Sequence, residues 1–287
     1  MRKTPQPLNK LAQFVQCHNV LGKYRFYELT KHIFNRRLIT YKIAGKEFSI
    51  PWDQWCFWLN GGPENYYLDE IIPFTRVLNA ELQQFIFFDL GADVGVVSAL
   101  VNKYCTNLNQ IIAIEPNPIS FSVLKENLLN IAIKHRALKL AISNFNGYAD
   151  FSFNAQQGSD HEGHLVITSN EKTNTQVITL DSLIAKNNIK VTANIAIKID
   201  IEGQEKAFFA GAHNTIKSVK KVVVLLELHP DVLTRDKQTP EEIFAEAEKV
   251  RNFRWLVPLH NNKLVDRTLN FYDQFPLQQY DVIGIAD

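Results

Sequence analysis

From Phe85 onward, short runs of apolar residues alternate with stretches of helical periodicity, and this alternation is the feature that most restricts the possible folds. Each apolar run has the length of one strand and lacks polar alternation, which is typical of strands covered on both faces. Strand–helix–strand units connect parallel strands by right-handed crossovers, so the sequence predicts an α/β fold with a doubly wound sheet. The predicted strands are residues 85–90, 111–115, 138–142, 195–200 and 222–228, and the predicted helices are residues 95–104, 120–131, 204–218 and 240–250.

Two regions depart from this alternation. Residues 146–179 are polar and β-like, which predicts an inserted hairpin with a loop at residues 156–163. Near the end of the sequence, residues 253–258 and 280–285 are two further strand-like runs, and we expect them to form an antiparallel pair that closes one edge of the sheet.

The first 84 residues have a different pattern, with loose helical periodicity that is interrupted at Gly22 and a predicted β-hairpin around Ala44-Gly45. An aromatic segment and a short helix at residues 68–82 follow. The tryptophans at positions 52, 55 and 58 fit one apolar helix face that packs in the core, and stacking on a sugar is the alternative. We therefore predict an N-terminal cap of helices and a hairpin over residues 1–84, packed on one domain over residues 85–287.

The composition excludes disordered and collagen-like chains, because 46% of the 287 residues are apolar and 21% are charged. Lys and Arg total 31 against 30 Asp and Glu, so the net charge gives no reason to expect a nucleic-acid partner. The three cysteines form neither a C-x-x-C pair nor a secreted disulfide framework, and no apolar stretch reaches the ~20 residues of a membrane span. We expect a cytoplasmic protein; the oligomeric state is unknown from the sequence.

The strongest local signal is a strand that enters a glycine-containing turn and then a helix, in Phe87-Phe-Asp-Leu-Gly-Ala-Asp-Val-Gly. Gly91 and Gly95 permit a tight turn and a close approach of a ligand to the backbone. The turn lacks the G-x-G-x-x-G pattern of dinucleotide sites, and Asp89 and Asp93 would repel a pyrophosphate. A cationic ligand without phosphate suits this turn better, and S-adenosylmethionine, with its ammonium and sulfonium groups, is such a ligand.

An acid stands where a nucleoside-binding α/β fold places its ribose ligand. Glu115 ends the second predicted strand, about two dozen residues after Gly91. A carboxylate can accept hydrogen bonds from both ribose hydroxyls, so we predict that Glu115 binds the ribose. Asn117 either caps the next helix or contacts the ligand.

Four titratable side chains follow the fourth and fifth predicted strands. They are Asp200 and Glu202 after the fourth strand, and Glu227 and His229 at the end of the fifth. Ligands of open α/β sheets bind beyond the carboxyl ends of the strands, so these side chains are candidates for chemistry. The alternative is a structural ion pair with Lys198 on the same strand.

Together these motifs resemble the FkbM family of S-adenosylmethionine-dependent methyltransferases, over about residues 85–229. The most specific part is Lys198-Ile-Asp-Ile-Glu-Gly-Gln-Glu. The resemblance implies a class I methyltransferase fold and O-methylation of a hydroxyl, often on a sugar or a glycosylated natural product. The glycine loop of the family commonly reads G-A-N, whereas Asp93 replaces the Asn in this chain. The cofactor-binding residues implied by the resemblance are Asp89, Gly91, Ala92, Asp93, Gly95, Glu115, Asn117, Ala141, Ser143 and Asp200.

Methyl transfer to oxygen requires the acceptor hydroxyl to lose a proton, so a base, a metal ion or both would assist. We expect Asp200 or His229 to be the base, with Glu202 and Glu227 as orienting groups. The alternative role of Asp200, Glu202 and Glu227 is to bind Mg²⁺, which prefers carboxylate oxygens. The expected acceptor is a small molecule or a glycan.

Two other classes of function use the same features. A nucleotide-dependent, sugar-modifying oxidoreductase would share the fold, but it should show a G-x-G-x-x-G turn and a Tyr-x-x-x-Lys pair, and no such pair follows the fourth predicted strand. A non-catalytic module that binds S-adenosylmethionine or a glycan is the other alternative. Cofactor binding without turnover would distinguish it from an enzyme.

Overall fold

The computed structural model of the chain describes residues 1–18, 20–131, 133–153, 163–166, 175–186 and 194–286. Residues 1–84, the N-terminal segment, contain a three-stranded sheet in the order β1-β2-β3 and four helices. Their elements are β1 (Arg2–Lys3), α1 (Gln6–Cys17), α2 (Lys23–Lys31), β2 (Arg37–Ile43), β3 (Lys46–Pro51), α3 (Trp55–Asn60), a 3₁₀ turn (Pro63–Asn65) and α4 (Leu68–Glu81). The predicted hairpin is confirmed, because β2 and β3 pair antiparallel across Ala44-Gly45.

The rest of the chain alternates strands and helices, as the apolar runs predict. Up to residue 186 its elements are β4 (Phe85–Leu90), α5 (Val96–Tyr104), β5 (Leu108–Ile114), α6 (Pro118–Leu129), β6 (Lys134–Leu138), β7 (Ala141–Ile142), β8 (Gly147–Ser152), β9 (His164–Val166), β10 (Thr175–Ile178) and α7 (Leu180–Lys186). From residue 194 they are β11 (Asn194–Ile199), α8 (Glu205–Ala210), α9 (His213–Ser218), β12 (Val222–Leu228), α10 (Pro230–Asp236), α11 (Pro240–Glu248), β13 (Phe253–Val257), a 3₁₀ turn (Pro258–His260), β14 (Lys263–Leu264), α12 (Phe271–Gln274) and β15 (Tyr280–Ala286).

Eight strands form the central sheet in the order β14-β13-β15-β12-β11-β4-β5-β6. The strands β6, β5, β4, β11 and β12 are parallel, whereas β15 is antiparallel to both of its neighbours, β12 and β13. The doubly wound, mostly parallel sheet predicted from the sequence is confirmed. None of the helices in the part of the chain that the structure describes is long and apolar enough to cross a membrane.

The two strands near the end of the sequence form the predicted antiparallel pair at one edge of the sheet, next to β12. Within this pair β15 is the inner strand, between β12 and β13. Its side chains Val282, Ile283 and Ile285 are buried, so an interior place in the sheet suits this strand. The outermost strand is the two-residue β14, Lys263–Leu264, whose residues are both exposed, and very short edge strands that carry a lysine resist pairing with other chains.

Two other predicted elements are divided. The run at residues 138–142 belongs to two sheets, because β6 ends at Leu138 in the central sheet while β7 pairs with β10. The helix predicted at residues 204–218 is broken into α8 and α9 at Gly211. A Cβ atom on Gly211 would lie 2.4 Å from the Ser143 carbonyl oxygen, so the backbone approach of two elements requires a glycine at this break.

A second sheet, in the order β7-β10-β8-β9, is built from the region of the predicted insert. Within it β8 pairs antiparallel with both β9 and β10. The loop predicted at residues 156–163 lies, except for Gly163, outside the described residues.

The two faces of the central sheet contact different layers. Side chains of β4 alternate, with Phe87 in a cluster that includes the N-terminal segment and Phe88 in a cluster with the later helices. In the layer that includes the N-terminal segment, the side chain of Asn127 on α6 joins β3 to the loop after β4. It accepts a hydrogen bond from the Ser49 amide and donates to the carbonyl oxygens of Ser49 and Val94, all at 2.8 Å. The N-terminal segment therefore packs directly beside the loop that follows β4.

Candidate active site

A cavity of about 150 Å³ lies at the carboxyl edge of the central sheet, beside the ends of β4, β5, β11 and β12. Of the residues predicted from the sequence, those that line it are Gly91, Ala92, Asp93, Glu115, Ala141, Asp200, Glu202, Glu227 and His229. The predicted residues that do not line it are Asp89, Gly95, Asn117 and Ser143. The structure thus brings the cofactor candidates and the acidic candidates to one cavity.

Residues 91–95, here called the glycine loop, have backbone hydrogen bonds, close contacts and left-handed backbone angles that restrict which residue types fit there. Gly91 has a φ of +70°, and a Cβ atom on it would lie 1.7 Å from the Asp200 carbonyl oxygen. The amides of Gly91 and Ala92 both donate to the carbonyl oxygen of Ile114, at 3.1 and 3.0 Å. Asp93 also has a left-handed backbone, with a φ of 45°, which Asp and Asn tolerate better than most residues. Asp at position 93 is therefore compatible with the left-handed backbone that the loop requires there.

Glu115 occupies the position expected of a ribose ligand. It is buried, its Oε2 accepts a hydrogen bond from the Asp93 amide at 2.8 Å, and its Oε1 accepts one from the Asn117 amide at 2.7 Å. Each carboxylate oxygen can accept a second hydrogen bond, so both retain capacity toward the cavity. Burial, followed by the charge of Asp93, raises the pKa of Glu115 to about 8. A cationic ligand nearby would favour its ionised form.

Three predicted residues that do not line the cavity, Asp89, Asn117 and Ser143, form hydrogen bonds within the protein. Asp89 is fully buried, and its Oδ2 accepts hydrogen bonds from the Ser98 amide and hydroxyl at 3.1 and 2.6 Å. Its Oδ1 has no hydrogen-bond partner among the described residues. Asn117 caps α6, since its Oδ1 accepts from the Ile119 amide at 2.9 Å. Ser143 donates to the side chain of Gln204 at 2.8 Å.

The acidic side chains beyond β11 and β12 form one cluster. Asp200, Glu202 and Glu227 can place one carboxylate oxygen each within 4.8 Å of the others. Lys198 reaches this cluster from β11, and its Nζ donates to Asp200 Oδ2 at 2.5 Å and to the Gly91 carbonyl oxygen at 3.1 Å. The structure therefore contains the ion pair between Lys198 and Asp200 and also the cluster of three acidic side chains.

Two side chains of this cluster, Glu227 and Lys198, have raised pKa values. Burial raises the pKa of Glu227 well above its ordinary value, and the charge of Asp200 and a hydrogen bond to it raise it further. Burial alone would lower the pKa of Lys198, but Asp200 and Asp89 raise it above its ordinary value. The neighbouring carboxylates therefore favour the charged form of Lys198, and burial together with Asp200 favours the neutral form of Glu227.

Several cavity residues come from parts of the chain that carry no recognisable motif. Gln54, Tyr66 and Tyr67 of the N-terminal segment line the cavity, and Gln54 donates a hydrogen bond to the Asp93 carboxylate. Gln279, just before β15, donates to Glu227. These contacts join residues 39 and 52 positions apart, so no local pattern could indicate them, although the aromatic segment could be recognised by its composition.

The charge of the cavity fits a cationic nucleoside ligand better than a phosphate. Five acidic side chains line it, and Lys198 is the one Lys or Arg among the described lining residues. Lys198 is already engaged by Asp200. The glycine loop, the buried Glu115 and this excess of carboxylates together match the requirements of S-adenosylmethionine.

Comparison with known proteins identifies the family. The model of the methyltransferase FkbM domain matches residues 89–254, more than half of the chain. The chain is 28% identical over 151 residues to the hexuronic acid methyltransferase AglP of Haloferax volcanii. The aligned region covers 53% of this chain and 59% of AglP, so the match spans less than two thirds of the length of that relative.

Two solved structures are among the similar ones. A methyltransferase FkbM from Methylobacillus flagellatus has a TM-score of 0.43 and 15% identity, over 98% of this chain and 58% of that one. M. jannaschii TYW2 in complex with AdoMet has a TM-score of 0.43 and 12% identity, over 87% and 84%. On the match of its sequence to the domain model, the chain belongs to the FkbM family of S-adenosylmethionine-dependent methyltransferases.

Proposed function

We propose that this protein transfers the methyl group of S-adenosylmethionine to a hydroxyl group of a sugar or of a glycosylated molecule. The observation that carries the proposal is the cluster of Asp200, Glu202 and Glu227 in the same cavity as the glycine loop and Glu115. The name of the relative AglP, a hexuronic acid methyltransferase, supports a sugar acceptor.

The cofactor-binding half of the cavity consists of Gly91, Ala92, Asp93, Glu115 and Ala141. In this proposal the free acceptor positions of Glu115 receive the two ribose hydroxyls, and Asp93 receives the ammonium group. The cofactor, when bound, supplies an electrophilic methyl group on a sulfonium.

Behind the cavity, Asp89 and Asn117 fix the starts of α5 and α6, and Gly95 keeps the loop close to α6. In the same proposal Ser143 fixes the turn after β7.

Asp200 is the proposed base. The Asp200 carboxylate would take the proton of the acceptor hydroxyl as that oxygen displaces the sulfonium sulfur from the methyl carbon and S-adenosylhomocysteine leaves, and the ammonium of Lys198 would keep that carboxylate ionised beforehand. Glu202 and Glu227 orient the acceptor through hydrogen bonds. His229 is the second candidate, because it lines the cavity and its Nδ1 has no hydrogen-bond partner among the described residues.

The charge of the cavity favours a hydroxyl over a carboxylate as the acceptor group. A carboxylate would enter among five acids whose single neighbouring ammonium is already paired, and like charges in a partly buried site repel strongly. A hydroxyl has no such cost and needs the base that the cluster provides. We therefore propose that the product is a methyl ether instead of the methyl ester that a uronic acid carboxylate would give.

Calorimetry tests the cofactor assignment. We expect S-adenosylmethionine to bind the wild-type protein, and Glu115→Ala to bind it at least about tenfold more weakly, because hydrogen bonds to a charged group are lost. The exposed Glu126→Ala on α6 is the matched control and should bind normally. An absence of heat with the wild type, or normal binding by Glu115→Ala, would contradict the assignment.

Release of S-adenosylhomocysteine tests the reaction. Neutral glycosides should be methylated to products that resist mild alkali, whereas a methyl ester is cleaved by it. Asp200→Asn should lower kcat by about 10²–10⁴-fold, while His229→Asn should not. Cofactor binding without turnover across a broad panel of hydroxylated acceptors would favour the non-catalytic module.

Magnesium has its own test. Binding of Mg²⁺ by Asp200, Glu202 and Glu227 would compete with the ammonium of Lys198, which already pairs with Asp200. Activity that is lost in EDTA and restored by Mg²⁺ would establish a metal role, and unchanged activity in EDTA would exclude it.

A further inference from the structure

The near-zero net charge of the chain conceals a strong local imbalance. The first 46 residues contain ten Lys and Arg side chains and a single acid, Glu28, whereas the rest of the chain contains 21 basic and 29 acidic residues. A separation of this size creates a positive field around the first 46 residues even though the total charge is +1.

Exposed apolar side chains concentrate in the same part of the chain. Of fourteen exposed large apolar residues in the described chain, seven lie within the first 33 positions. They are Met1, Leu11, Phe14, Leu21, Tyr24, Leu29 and Ile33. Leu21, in the turn between α1 and α2, is fully exposed. Single exposed apolar residues are normal on a protein surface, but a concentration of them marks an interaction surface.

The two helices each bury one face and expose the other. On α1, Ala12 and Val15 are buried, whereas Leu11 and Phe14 point outward on a common face with Lys10. On α2, Tyr27 is buried, while Tyr24, Arg25 and Leu29 are exposed. Each outward face therefore combines apolar and cationic side chains.

Many of the cations in this region are available to a partner. Lys3 pairs with Glu47 and Lys31 pairs with Glu28. The others include five exposed side chains that have no ion-pair partner among the described residues, namely Lys10, Arg25, Arg36, Lys42 and Lys46. These five, together with the seven exposed apolar residues, are here called the basic–apolar surface.

We propose that the basic–apolar surface binds the anionic headgroups of a lipid bilayer and places the protein on the membrane surface without spanning it. Surface-bound helices combine these features: the apolar side chains enter the headgroup boundary while Lys and Arg contact the anionic lipids. A nucleic acid would use the cations but would leave Leu11, Leu21 and Leu29 in water. The surface belongs to the same N-terminal segment that lines the active-site cavity through Gln54 and Tyr67.

Vesicle co-sedimentation of the full chain, without cofactor, tests this proposal independently of the proposed reaction. The protein should bind phosphatidylglycerol/phosphatidylcholine vesicles, bind phosphatidylcholine vesicles far more weakly, and be released as salt is raised. Lys10→Glu/Arg25→Glu should lower the partition coefficient at least about tenfold. Leu21→Asn/Leu29→Asn should lower it as well, because the apolar contacts are lost.

The controls place the same changes elsewhere on the surface. Lys217→Glu/Lys220→Glu and Leu129→Asn/Leu277→Asn alter exposed residues outside the N-terminal segment and should bind as the wild type does. Thermal unfolding and near-UV circular dichroism verify that each variant is folded. Equal binding to both vesicle types, or no binding to either, would overturn the proposal. It would also be overturned if the protein bound a short nucleic-acid duplex in preference to vesicles, with the leucine variants unaffected.

Discussion

Gly91 carries the closest backbone contact of the glycine loop, so its substitution has a predictable cost. In Gly91→Ala, the new Cβ would meet the Asp200 carbonyl oxygen at 1.7 Å, and the residue would keep a left-handed backbone. The left-handed conformation alone costs an alanine about 1–2 kcal/mol, and the displacement of β4 from β11 adds to this. We expect Gly91→Ala to lower the free energy of unfolding, measured in urea, by more than about 3 kcal/mol.

Gly22→Ala is the matched control, because Gly22 also has a positive φ, of +85°, but a Cβ atom there would contact nothing within 4 Å. It should lose only the conformational part, about 1 kcal/mol. Equal losses at positions 22 and 91 would show that the Gly91 contact is relieved by a small shift of the loop.

Glu70 gives the protein a specific dependence of stability on pH. Glu70 Oε1 accepts a hydrogen bond from the Asp281 amide at 2.9 Å, and burial, followed by the charge of Asp281, raises the pKa of Glu70 to about 9. The folded state therefore holds this proton more tightly than the unfolded state, whose pKa is about 4.5. The stabilisation is fully present below about pH 4.5 and is lost as the pH rises toward about 9.

The variant Glu70→Gln keeps an acceptor for the Asp281 amide but cannot titrate. Its melting temperature should fall less steeply than that of the wild type between pH 5 and pH 9, as measured by thermal unfolding at several pH values. Exposed Glu126→Gln should retain the wild-type slope. Parallel slopes for Glu70→Gln and the wild type would assign the pH dependence to other groups.

At the scale of secondary structure, the sequence predicts elements well where burial is uniform. The runs at residues 85–90 and 222–228 correspond to β4 and β12 with the predicted bounds, because both faces of these strands are covered. In contrast, β6 lies at an edge of the sheet and none of its five residues is fully buried, so its apolar signal is weak. The place of β15 between β12 and β13 depends on tertiary packing, and local patterns do not encode strand order.

The residues of the site also differ in how well the sequence predicts them. Glu115, Asp200 and Glu227 each lie at the carboxyl end of a predicted strand of the central sheet, so topology alone brings them to one edge. Gln54, Tyr66 and Gln279 reach the cavity from the N-terminal segment and from the turn before β15, and only the folded chain shows their proximity. Side chains at strand ends can thus be predicted from the sequence, and those on packed loops cannot.

The tryptophans of the aromatic segment belong to the core, and α3 offers a direct comparison of adjacent positions. Trp58 is fully buried, and its Nε1 donates to the Trp52 carbonyl oxygen at 2.6 Å, whereas half of Leu59 is exposed. We expect Trp58→Ala to cost about 3–5 kcal/mol in the free energy of unfolding and Leu59→Ala less than about 1 kcal/mol. Chemical denaturation measures both, and a small loss in Trp58→Ala combined with weaker acceptor binding would favour sugar stacking.

At the scale of the whole molecule, the N-terminal segment and the sheet share one hydrophobic layer. Trp52 and Phe74 of this segment lie in the same buried cluster as Phe87 of β4 and Ile285 of β15. The layer therefore joins the start and the end of the described chain through the central sheet. A segment bound in this way should not behave as an independently folding cap.

Cooperative unfolding tests this expectation, because the tryptophans report on different parts of the molecule. Trp52, Trp55 and Trp58 lie in or beside the shared layer, whereas Trp255 of β13 packs in the cluster on the opposite face of the sheet. In Trp255→Phe, fluorescence reports only on the N-terminal segment, while far-UV circular dichroism reports on the whole chain. The two urea transitions should coincide in midpoint, because unfolding the segment exposes the sheet face that it covers. A fluorescence transition at clearly lower urea than the dichroism transition would show instead that the segment unfolds first and is a separate unit.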